Sequence, residues 1–303
     1  MPPWPVLTAE RDQPTFALLH LASQMLGKLR VANAVWSNHG WHVALHPDAA
    51  GLATAPTAAP DGRSFTLALD LCRHAIALRI SDGTADELPL AAATVADLHA
   101  GLVAMLDRHN PPSHFNSAPS EVPNPVRFVD DHAPRAYDPA SARRLRDALA
   151  LIVPIFDRFR AGFAGKASPV HLFWGAFDLA VTRFSGRPAP QHPGGVPGLP
   201  DRITREAYSH EVSSAGFWPG GVTSAEPMFY SYAYPEPAGY RATPLTAGRF
   251  DESYGEFVLP YAEVRAAPDP EAMLTLFLAE TYAAAADLAH WDRNALERQP
   301  VAP

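Results

Sequence analysis

Apolar positions along the chain mark its first elements. Leu18, Leu21 and Met25 stand three and four residues apart, on one face of a helix that is expected to end at Gly27-Lys28 in "SQMLGKLR". Phe156, Phe159 and Phe163 repeat those offsets ahead of Gly165-Lys166 in "RAGFAGKAS". Glycine after such a helix lets the backbone turn away, so both helices are read as stopping there. Strand-like runs follow: "GWHVALHPDAAGLATAP" (40–56) in the first half and "VHLFWGAFDLAVTRF" (170–184) in the second. Each opens on an apolar residue, a histidine and an aliphatic, Trp41-His42-Val43 against Val170-His171-Leu172. More strands are read in "RSFTLALDLCRHAIALRISDG" (63–83), "EPMFYSYAYPEP" and "GRFDESYGEFVLPY". Alternation in "MFYSYAYPEP" puts Phe229, Ser231 and Ala233 on one face and Tyr230, Tyr232 and Tyr234 on the other. Both halves close on a Leu-Pro and an amphipathic helix, within 87–109 and 256–291.

The order helix, Gly-Lys, antiparallel strands, Leu-Pro, helix therefore occurs twice. It predicts an α+β fold made by internal duplication, with two pseudo-symmetric halves around a shared cleft. Residues 1–109 form the first repeat and 142–303 the second. Between them, 110–141 holds seven prolines and reads as an extended strap, with Phe115 and Phe128 as anchors. The Pro/Gly-rich loop at 186–202 interrupts only the second repeat and is expected to act as a lid.

Composition narrows the partners. The chain has 303 residues, is 47% hydrophobic and carries a net charge of −8 without a basic cluster, which argues against nucleic acid and anionic membrane. The longest apolar run, "ALALIVPIF", is too short to span a bilayer. The opening residues lack a basic n-region followed by an apolar stretch, and Cys72, the single cysteine, sits in a strand-like run as a packed thiol. These features point to a soluble, cytoplasmic protein with a small-molecule ligand, its oligomeric state left open. Of 24 basic residues 22 are arginine, so Lys28 and Lys166 stand where a compact ammonium is wanted. Phosphate-loop, zinc-protease, nucleophile-elbow and dinucleotide patterns all fail on required positions.

The long segments "SPVHLFWGAFDLAVTRFSGR", "TREAYSHEVSSAGFWPG" and "YAYPEP", with "LHLASQMLGKLR" and "HGWHV", resemble an uncharacterised bacterial family of unknown function over nearly the whole chain. That resemblance implies one full-length unit and transfers no catalytic residue.

Candidate chemistry therefore rests on the residues themselves. His171, His210 and Glu211 are the acid–base candidates. His42, His171, His210 and Glu211 are the ligand set that a divalent metal would need, with His39 as a further ligand or a loop residue. Lys28, Lys166, Arg183 and Arg187 would hold an anionic group, and Asp178 needs a partner if buried. Tyr208, Trp174 and Trp218 would line the pocket. The expected protein is a small-molecule enzyme acting on a polar or anionic metabolite, with a non-catalytic binding or sensor protein as the alternative; titration separates the two, because an enzyme needs a strongly shifted pKa in its pocket.

Overall fold

A computed structural model describes residues 3–196, 198–221 and 223–298. The fold combines 38% helix and 24% strand, and its strand pairs are antiparallel. It is an α+β protein.

The first helix, α1 (Ala9–Asn33), leads through a 3₁₀ segment (Asn38–Val43) into β1 (Leu45–Pro47), β2 (Gly51–Thr54), β3 (Thr57–Ala58), β4 (Ser64–Asp70), β5 (Ala75–Ile80) and β6 (Ala85–Pro89). After β7 (Ala93–Thr94) comes α2 (Val95–His109), and β8 (Pro134–Arg135) pairs with β7 at the end of the strap. The second half runs α3 (Pro139–Ala161), β9 (His171–Phe173), β10 (Asp178–Pro188), α4 (Asp201–Ala207), β11 (His210–Trp218) and β12 (Met228–Tyr234). It closes with β13 (Arg249–Asp251), β14 (Glu256–Pro260), α5 (Tyr261–Ala266), α6 (Pro270–Leu288) and α7 (Arg293–Leu296).

One sheet crosses both halves in the order β13-β14-β12-β11-β10-β9-β1-β2-β4-β5-β6. The halves join at the β1–β9 pair, where Leu45 faces Leu172. Leu45, Leu52, Leu67 and Leu69 from the first half share one core with Leu179, Val181, Phe217, Phe229 and Phe257 from the second, packed against α1, α3 and α6. The Leu-Pro pairs mark the ends of β6 and β14, where proline can sit without breaking a ladder. In the strap, Phe115 and Phe128 are buried against His99 of α2.

Several local expectations change. α1 does not stop at Gly27 but runs on to Asn33. Gly27 is required by close approach: a Cβ there would lie 1.9 Å from the Trp174 ring. α3 ends at Ala161, so Lys166 lies in the following link while Lys28 lies within a helix. Trp41-His42-Val43 belongs to the 3₁₀ segment, where His39 and Gly40 take φ of 58° and 71°, and the strand begins only at Leu45. Cys72 sits exposed in the β4–β5 turn, not packed in a strand, and its Sγ accepts from Arg146 at 3.0 Å.

Candidate active site

The sheet face turned away from α3 and α6 carries the chemistry of the second half. Alternation places Asp178 and Thr182 of β10 there, with Ser214 and Gly216 of β11, Tyr230 and Tyr232 of β12, and Glu256 of β14. Asp178 is the first residue of β10, just beyond the tight Trp174–Phe177 turn, and it is buried. The Tyr230 hydroxyl donates to its Oδ2. Burial pushes Asp178 up to about 6, against the Tyr230 hydrogen bond, which holds it down. Tyr230 lies over β11 because Gly216 is bare; a Cβ there would come within 2.3 Å of the Tyr230 Oη. Its ring stacks on Trp218 at 4.3 Å and runs parallel to Tyr232 at 6.2 Å.

Two more carboxyl groups face Asp178. Glu256 Oε2 is buried without a hydrogen-bond partner among the described residues, and burial together with Asp178 raises the group to about 8. Glu121 reaches in from the strap, on a backbone with φ of 58°. Its carboxylate fills the space of a missing side chain at Gly175, where a Cβ would sit 1.9 Å from Oε1. Burial first and Asp178 second raise Glu121 to about 7, opposed by Lys28. Lys28 donates to Ser120 Oγ at 2.9 Å and lies 5.5 Å over Trp174; burial brings it down to about 8.

Glu121, Tyr208, Tyr232 and Glu256 are half-buried beside the buried Asp178 and Tyr230, so this covered face of the sheet, the hollow, keeps accessible surface. Its walls are fastened from two sides. The strap is clamped where Gln24 Nε2 donates to Ser120 O at 2.7 Å and Ser120 N–H donates back to Gln24 Oε1 at 2.8 Å. From the other side, Tyr208 at the end of α4 meets the Tyr232 hydroxyl at 2.9 Å, and His192 stacks on Tyr208 at 4.9 Å. The Tyr234 hydroxyl holds the loop by donating to Pro190 O at 3.0 Å. Strap and loop touch at Gly198, where a Cβ would come within 2.9 Å of the Glu121 nitrogen.

A family model matches residues 4–298, almost the full described chain. The chain belongs to the family of unknown function DUF5996. No curated protein and no solved structure matches it.

In this DUF5996 chain the residues singled out from the sequence fall into separate places. Asp178, Tyr208, Trp174, Trp218 and Lys28 belong to the hollow or its rim. Lys166, His39 and His210 form another cluster, with Lys166 Nζ 2.6 Å from His39 Nε2 and the two imidazoles 6.1 Å apart. Arg183 points to the opposite face from Asp178, as five residues of unbroken strand require, and lies over Phe159 and Tyr282 at 3.5 and 4.2 Å. Its guanidinium donates to the Phe159 carbonyl and is lowered to about 10 by burial, so it packs the core. Arg187 pairs with Glu211 at 2.6 Å and caps the end of α6 through Ala289 O at 2.6 Å.

The acid–base trio and the metal set do not assemble. His210 and Glu211 are consecutive on β11, and a strand sends consecutive side chains to opposite faces. His171 is fully buried in β9, its ring nitrogens without a hydrogen-bond partner among the described residues, and burial lowers its pKa to about 3. The residue opposite it across the central pair is His46 rather than His42, since Leu45 faces Leu172. His42 accepts from the Ser37 N–H at 3.2 Å. Among the described residues no group of three or more His, Cys, Asp or Glu could hold a metal ion.

Tyr230, Tyr232, Glu121 and Glu256 enter the site without having been chosen from the sequence. The tyrosine alternation was visible, and Glu256 shares its period with Val258. Glu121 gave no signal, because it lies in a proline-rich stretch with no periodicity.

Proposed function

We propose that the hollow bounded by Asp178, Glu121, Glu256, Tyr208, Tyr230 and Tyr232 is the active site of a small-molecule enzyme that works by proton transfer. The observation that carries this reading is three carboxyl groups gathered at one tyrosine-lined face, Asp178 held by the Tyr230 hydroxyl and Glu256 Oε2 buried without a partner among the described residues. Burial raises the three to about 6, 7 and 8. Carboxyl groups poised near neutrality can both give and take a proton, as general catalysis needs. Asp178, aligned by Tyr230, is the base in this assignment, and Glu256 the acid. A metal is not part of this reading, because the described residues form no ligand set.

The lining bears on the ligand. Carboxyl oxygens outnumber free donors, and Lys28 is the cation beside them, already donating to Ser120. A polar ligand rich in N–H and O–H groups fits better than a multiply charged anion, with the stacked tyrosines against its flat or apolar part.

We also infer that the two halves arose by duplication. Supporting this, each builds antiparallel strands away from the β1–β9 pair, ends its last strand of the large sheet on Leu-Pro and continues into a helix, though in the second half β13 lies outside β14 at the edge. The loop at 186–202 is then an addition to the second half, where the hollow lies.

Incubation with a metabolite extract, followed by untargeted mass spectrometry, tests the enzyme. Asp178→Asn keeps an acceptor for Tyr230 and is the matched control. A compound consumed by the protein and spared by Asp178→Asn is the expected result. A compound retained by both and converted by neither makes the protein a binding or sensor module, and no change in any compound overturns the site.

A further inference from the structure

We propose that the cluster of Lys166, His39 and His210 is a second binding site, specific for a small oxyanion. It lies toward the end of β10 away from Asp178, since Asp178 and Phe184 are six residues apart on one strand face, about 20 Å at the rise of a β-strand. It adjoins the hollow's edge where Tyr208 follows Ala207. None of the three carboxyl groups takes part in it, so the proposal is independent of the acid–base reading.

The geometry defines the protons. The His39 Nδ1 is 3.1 Å from the Ala207 carbonyl, and a carbonyl only accepts, so Nδ1 carries the hydrogen and donates. Nε2 of the neutral ring is then the acceptor, and Lys166 Nζ donates to it at 2.6 Å. That bond uses one of three ammonium hydrogens, and among the described residues no carboxylate pairs with the others. His210 lies beside the pair, its Nδ1 engaged with Ser209 Oγ at 3.1 Å and its Nε2 without a partner among the described residues. Burial first, and Lys166 and His210 after it, push His39 below the ordinary imidazole value, against the Ala207 carbonyl, which raises it.

Neighbouring acids are committed elsewhere. Glu206 of α4 accepts from Trp36 Nε1 at 2.8 and 2.9 Å, and Glu211 faces the other side of the sheet on Arg187. The Trp41 and Phe184 rings lie 5.3 and 5.2 Å from Lys166 Nζ; they hold the ammonium without neutralising it. Backbone pinning fixes the base of the side chain, since Phe184 N–H donates to Lys166 O at 3.0 Å. The ammonium is compact and turns its three hydrogens freely, so one can sit on the imidazole while the others stay available, a use that fits one of only two lysines beside 22 arginines. An oxyanion would accept from the remaining Lys166 hydrogens and, with His210 Nδ1 accepting from the Ser209 hydroxyl, from His210 Nε2–H, giving the Lys166 charge a partner.

The test is a titration with inorganic phosphate at constant ionic strength, with chloride as control, read from the imidazole signals of His39 and His210 by NMR. Saturable shifts with phosphate alone are expected, and Lys166→Met should weaken the affinity about tenfold or more, a loss typical of removing one charge-assisted hydrogen bond. Shifts that never saturate, or an affinity unchanged in Lys166→Met, overturn the site. If that variant does not fold, His210→Phe on the opposite side of the cluster should give the same loss, and retained affinity there is equally decisive.

Discussion

Asp178 and Arg183 stand five residues apart on β10 and meet burial in different ways. Arg183 faces the core, where aromatic rings and a carbonyl receive its guanidinium. Asp178 faces the hollow and has one strong donor, the Tyr230 hydroxyl, whose position depends on Gly216. Gly216→Ala places a methyl where the Tyr230 ring lies, so it should destabilise the protein by about 1–3 kcal/mol, the usual cost of overpacking. Losing the donor should also raise Asp178 above about 6, because that bond holds the group down. Urea unfolding and a carbon-detected carboxyl titration read the two effects. A variant with both values unchanged would mean that Tyr230 reaches Asp178 by another path.

At the scale of elements, the site depends on α1 passing straight through Gly27. A helix that stopped there would not carry Lys28 to Ser120 or seat the Trp174 turn against its own backbone. The strap in turn owes its place over the hollow to Gln24, whose amide makes two reciprocal bonds with the backbone of Ser120. Gln24→Ala removes both. At roughly 1 kcal/mol per bond, the Ser120 amide should exchange with solvent about tenfold faster or more, while amides in β10 and β11 keep their protection. Hydrogen exchange read by mass spectrometry checks this, and unchanged exchange near Ser120 would place the strap's anchorage at Phe115 and Phe128 instead.

For the whole molecule, the carboxyl groups of the hollow set a pH dependence of known sign. Asp178, Glu121 and Glu256 are raised above their ordinary values of 3.8, 4.5 and 4.5, so between those values and about 6, 7 and 8 the folded state binds more protons than the unfolded chain. Their contribution is complete below the ordinary carboxylate range and is lost as pH rises through the folded values. Asp12, gripped by Arg11 and Arg144, is lowered and acts oppositely, losing its contribution only in acid. Buried His20 and His171, lowered to about 4 and 3, gain stability with rising pH up to the ordinary imidazole value of 6.5 and offset the carboxyl groups there. The unfolding midpoint should therefore fall between about pH 6.5 and pH 8, and Glu256→Gln should flatten that fall. Thermal unfolding across a pH series measures it; a midpoint rising over this window would contradict the raised carboxyl groups.

Periodicity and breakers are local, and they were legible in the chain. The 3.6-residue spacing of Leu18, Leu21 and Met25, the alternation of Tyr230, Tyr232 and Tyr234, and the Leu-Pro strand ends all reappear in the fold. The α+β class followed from them. What a glycine serves is not local: Gly27 reads as a helix stop, but Trp174 arrives from 147 positions along the chain to occupy its missing side chain. Register is equally remote. Only the pairing of Leu45 with Leu172 sets His46, and not His42, across from His171. The strand state of His210-Glu211 likewise parts two residues that a loop would have joined. Glu121 became a partner of Asp178 because the strap is clamped by α1, so its chemistry depends on distant contacts that no pattern in its own stretch records. The sequence by itself determined the elements, since hydrophobic spacing acts within a few residues. Only the tertiary structure decided which titratable groups meet, since their proximity and burial are properties of the packed chain.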